Sequence, residues 1–139
     1  MQTKIHLSAP GASGRGVKLK EIDTKARELA QVTVAKRLGG DNVTMVQYEQ
    51  ELARECLCMM IVGVTEKRVD EAGLLAKTGW KQLTYLELTA TDGANNFLKL
   101  FANPKDAGIL NAHYRAHCVV TQGEVDAILG KAIVVDDEE

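Results

Sequence analysis

His113 and His117 stand four residues apart, with Cys118 directly behind them. On a helix that spacing puts two imidazoles on one face with a thiol alongside, a set that can grip one zinc ion. Cys56 and Cys58 are the residues that could complete it. The pattern departs from zinc chemistry in two places. Protease-type zinc helices need a glutamate after the first histidine, where this chain has Tyr114. Structural zinc sites use Cys-x-x-Cys knuckles, whereas Cys56 and Cys58 are two apart and point to different sides of a helix. Thiol catalysis fares no better. A nucleophilic cysteine needs its pKa lowered by a helix N-terminus or a cation, and Cys56 and Cys58 sit in an apolar run beside Leu57, Met59 and Met60. His117 and Cys118, as neighbours on a helix, diverge by about 100 degrees. The expectation is a chain that uses no metal and no cofactor and is not an enzyme.

Gly11, Gly14 and Gly16 invite a phosphate reading. A P-loop requires G-x-x-x-x-G-K-[ST], and here Val17 and Lys18 follow the last glycine, so the lysine and hydroxyl are out of place. The stretch reads instead as a flexible hairpin tip between two period-2 runs, Lys4 to Ser8 and Val17 to Ile22, with Arg15 as the group that would meet an anion or a partner.

These residues need elements to position them. The organising stretch is Thr44 to Val64, which opens on a capping box, Thr44-x-x-Gln47, and loses its polar face from Leu57 onward. It predicts a central buried helix over about 44–63, with Met45, Tyr48, Leu52 and Cys56 as its first apolar stripe. Before it, Asp23 caps a helix whose inner face is Ala26, Leu29, Ala30, Thr33 and Arg37, stopped at Gly39 and Gly40 in the αL manner. After it, residues 66–73 read as a loop or short turn. Thr84-x-x-Glu87 starts a short helix, and Phe97, Leu98, Leu100 and Phe101 form an apolar cluster. Asn103-Pro104 starts the helix that carries His113 and His117. Thr121-x-x-Glu124 opens a last helix closed by Gly130, and Ile133, Val134 and Val135 can add an edge strand before an acidic tail. The fold class is α+β, mainly α: a helical core with a short N-terminal β-hairpin and a C-terminal edge strand, in one domain over 1–139.

At 139 residues the chain buries enough surface to fold without staples, and three cysteines, an odd number, do not form a disulfide framework. Seventeen Lys and Arg against nineteen Asp and Glu give no electrostatic case for nucleic acid or for an anionic membrane. No apolar run approaches the roughly 18 to 20 residues that span a bilayer, and residues 1–11 lack the apolar core of a secretion signal. The lone tryptophan, Trp80, is either cover for the core or an anchor for a partner's pocket.

The order of features resembles small tail proteins of long-tailed bacteriophages, tail assembly chaperones above all. The residues that carry the likeness are the hairpin, the run ELARECLCMMIVGV, the pattern Trp80, Leu83-Thr84, Glu87-Leu88, Asp92-Gly93, and the closing Asp106, Leu110, Tyr114, Thr121-x-x-Glu124. The resemblance implies a non-enzymatic protein of the host cytoplasm that holds a tape-measure protein and recruits tail-tube subunits, with self-association open. A structural baseplate or tail component of the virion is the runner-up, and a small metal or thiol enzyme is the third reading. The expected partner-binding residues are Gly11, Ser13, Gly14, Arg15, Gly16, Trp80, Ile133, Val134 and Val135. The resemblance does not account for the thiol-rich run Cys56, Cys58, Met59 and Met60.

Overall fold

The computed structural model describes residues 2–40, 43–70 and 79–118. The expected last helix and the edge strand at Ile133, Val134 and Val135 lie outside them. The described chain is α+β and mainly α. Strand β1 (Gln2–His6) pairs antiparallel with β2 (Gly16–Lys20), and the helix α1 (Thr24–Leu38) leads to α2 (Met45–Met60). Strand β3 (Ile61–Thr65) follows directly, then β4 (Trp80–Gln82), and three further helices: α3 (Tyr85–Thr89), α4 (Phe97–Leu100) and α5 (Pro104–Cys118). The sheet is antiparallel throughout, in the order β1-β2-β3-β4. Helices α1 and α5 both pack on α2.

Helix starts follow their local chemistry. Asp23 accepts from the Ala26 N–H, Thr44 and Gln47 close a reciprocal box, Thr84 accepts from the Glu87 N–H, and the Asn103 side chain accepts from the Lys105 N–H. Each satisfies a backbone donor that the first helical turn leaves orphaned. The α1 stop uses glycine without an αL turn. The Gly39 N–H donates to the Ala35 carbonyl, and Gly40 then takes φ +143°.

The central apolar run is buried as its composition demands, with Leu57, Met60 and Ile61 all in the core. It is not one helix. The helix ends at Met60, and Ile61–Thr65 becomes an inner strand between β2 and β4. A short apolar run buried on all sides suits either conformation, and the β-branched residues Ile61, Val62, Val64 and Thr65 pack well on a pleated surface. The register shifts between Lys18 and Leu19, where Leu19 pairs with Ile61 while Lys18 pairs with Gly63. Val17, Leu19, Ile61 and Val64 thereby meet Ala30, Val34, Leu52, Cys56, Leu110 and Tyr114 in one apolar cluster. Two predicted stripes are corrected. In α1 the buried residues are Ala30 and Val34, while Leu29 is 60% exposed; in α2 Met45 is 71% exposed.

Candidate functional site

Antiparallel register places Lys4, Lys18, Gly63 and Gln82 opposite one another across the four strands. Since side chains alternate between the faces of a strand, Trp80 shares their face, two residues from Gln82. Gly63 brings no side chain there, and its Cα region lies against the Trp80 ring and the Lys18 stem. The Lys18 ammonium stands 4.7 Å from the Trp80 ring centroid and that of Lys4 5.9 Å, with all three residues half-buried. Two lysines directly opposite on neighbouring strands repel, and the negative face of the indole offsets part of that cost. The result is a cationic, aromatic patch on the sheet, made by a strand that was not expected from the sequence.

The Gly-rich loop is less free than a hairpin tip. The Ser13 N–H donates to Asp106 Oδ1 at 2.9 Å, and Arg15 Nη2 lies 3.6 Å from Asp106 Oδ2. The Arg15 guanidinium also donates to the Leu100 carbonyl and sits 5.4 Å from the Phe101 ring. The Gly14 N–H donates to the Leu7 carbonyl, and its own carbonyl accepts from Val69 N–H. The Gly16 N–H donates to Thr65 Oγ1 at 2.8 Å. Gly14 and Gly16 are buried, Ser13 and Arg15 half-buried and Gly11 exposed. The expectation of a loose tip gives way to a clamp on the start of α5, because the carboxylate of Asp106 is fully buried and draws donors to itself.

A second buried carboxylate was also not legible. Glu55, in the predicted polar face of α2, is 2% exposed and accepts from the Arg37 guanidinium and the Tyr85 hydroxyl. Burial and then the Glu55 acceptor push the Tyr85 hydroxyl up to about 12. Arg37 also reaches Glu51 at 3.3 Å, and Glu51 takes Arg54. These charges neutralise one another at the edge of a cleft that also touches Cys58, Leu88 and Leu98.

Of the predicted metal candidates, His113 and His117 do share a face, their rings stacked with centroids 4.2 Å apart. Cys56 and Cys58 do not join them as a zinc set. Cys58 faces the Glu55 cleft, where burial pushes its thiol up to about 12, and the Cys56 thiol is also raised by burial, against Tyr114 and Arg27. Among the described residues no three His, Cys, Asp or Glu side chains come together as metal ligands. No described helix is long and apolar enough to cross a membrane. Comparison with protein-family models, with curated proteins and with solved structures finds no match to this chain.

Proposed function

We propose that the chain is a non-enzymatic assembly protein of a bacteriophage tail, acting like a tail assembly chaperone on a tape-measure or tail-tube protein. The observation that carries this reading is the Trp80 patch. A half-buried indole flanked by two lysines on one face of the sheet offers a large rigid contact area and charge for an acidic segment, the features of a binding hot spot. The exposed apolar side chains of Leu29, Val32, Met45 and Val46 on α1 and α2 add surface suited to a protein neighbour. The patterned residues Trp80, Leu83, Thr84, Glu87 and Leu88 support the phage reading through their resemblance to tail proteins.

Co-expression with a tagged tape-measure protein tests it. The chain should co-purify with that partner, and Trp80→Ala or the double change Lys4→Glu, Lys18→Glu should abolish capture while leaving the circular dichroism spectrum and melting intact. Failure of the unaltered chain to bind tape-measure or tube protein would end the phage reading. Full capture by both folded variants would remove the patch from it.

A further inference from the structure

Arg27 on α1, Tyr48 and Leu52 on α2, and Tyr114 and Arg115 on α5 line one cavity of about 220 Å³ between the three helices. Its cations are not spent within the fold. Arg15, Arg37 and Arg54 each hold a carboxylate, whereas among the described residues neither Arg27 nor Arg115 has one within ion-pair distance. Arg27 is half-buried, its guanidinium meets the neutral hydroxyl of Tyr114, and its Nε is buried with no hydrogen-bond partner among the described residues. A buried N–H of a charged group costs free energy until an acceptor meets it. We infer that this cavity is a binding site for a small organic carboxylate with an apolar body, its anionic end held by Arg27 and its body packed against Leu52 and the Tyr48 ring.

Each part of the wall selects for that class. A guanidinium is planar and presents paired N–H donors that match the two oxygens of a carboxylate. Arg27 and Arg115 against Glu49, the one acid on the wall, leave one positive charge, which a monocarboxylate neutralises and a dianion overfills. Leu52 and Ala53 are both 6% exposed and form an apolar wall with the half-buried Tyr48. An inorganic anion gains nothing from that wall, whereas an apolar body buries surface against it. The volume lies below the about 300 to 1,000 Å³ of drug-sized sites, so the occupant is a molecule of one ring or a short chain. Arg115 and Asn111, both exposed, stand on the solvent side and draw the anion in.

The test titrates phenylpropionate into the full, isotope-labelled chain and follows the backbone amide resonances, with the neutral phenylpropionamide and inorganic phosphate in parallel. The carboxylate should bind saturably at one equivalent, shift resonances of α1, α2 and α5 around the cavity, and outbind both the amide and phosphate by more than about tenfold. Arg27→Gln should weaken binding by a similar factor. Ala53→Leu, which fills the cavity without touching a charge, should block it, and Arg54→Gln, whose partner is Glu51, should bind as the unaltered chain does. The titrations of the unaltered chain decide the matter even where a variant fails to fold. Absence of saturable binding, equal binding of carboxylate and amide, phosphate as tight as the carboxylate, or full binding by a folded Ala53→Leu variant would each overturn the assignment.

Discussion

Asp106 Oδ2 is fully buried and stands 3.6 Å from Arg15 Nη2, tying the first loop of the chain to the first turn of α5. Its other oxygen already accepts from the Ser13 N–H, so the guanidinium is the charge that balances the carboxylate. Removing one partner from such a pair leaves a buried charge uncompensated, which costs about 3 to 5 kcal/mol. Arg15→Ala should lose the lower part of that range in urea unfolding, because Arg15 itself keeps some contact with water. The double variant Arg15→Ala, Asp106→Ala should lose less than the sum of the single changes, since it leaves no orphaned charge behind.

Tyr85→Phe removes the hydroxyl that donates to Glu55 and leaves the Arg37 guanidinium as its remaining partner. A buried acceptor deprived of a donor costs about 1 to 3 kcal/mol, measurable by thermal or denaturant unfolding. The same substitution should change the alkaline limb. With its pKa raised from 10.0 to about 12 in the folded chain, Tyr85 supports the fold fully below pH 10, and that support is lost as pH rises through about 12. Stability should therefore decline less steeply between those values in Tyr85→Phe. Tyr114, whose hydroxyl is also raised by burial, keeps part of the slope.

Gly14 holds φ +77°, and a Cβ placed there would lie 2.6 Å from Arg68 Cγ. Gly14→Ala should cost about 1 to 3 kcal/mol through backbone strain and the displaced Arg68 stem. Gly11 has a similar φ of +87°, yet its nearest neighbour would be Lys105 Cγ at 3.8 Å. Gly11→Ala should therefore cost less than Gly14→Ala in parallel melting curves, and the reverse order would refute the steric account.

Thiol labelling should separate the three cysteines. Burial raises all three thiols, that of Cys58 up to about 12, so access decides the order, and Cys56 and Cys58 are buried where a reagent does not reach them. Cys118, half-exposed, should react first with a disulfide reagent in the native protein, and all three should react once urea unfolds it.

What the sequence disclosed was local. Thr44 with Gln47, Asp23, Thr84 and Asn103 each cap through residues two or three positions away, so their helices were legible without any tertiary knowledge. The hairpin was legible for the same reason. Glu55 and Asp106 were not, because the partners that let a carboxylate be buried, Tyr85 and Arg15, come from distant stretches. Strand β4 has three residues and no pattern of its own; it exists because β3 offers an edge to pair with. The meeting of Cys118 with Met60 likewise depends on how α5 crosses α2, which no spacing within either helix encodes.

Ile61 belongs to two ladders at once. Its N–H donates to the Leu57 carbonyl and closes the last turn of α2, while its strand position pairs with Leu19. No loop absorbs error between them. One residue inserted after Met60 would either carry the helix round by about 100 degrees or turn every β3 side chain to the opposite face of the sheet. The spot works as a phase lock between a period of 3.6 and a period of 2, and a change in chain length there has no neighbouring loop to take it up.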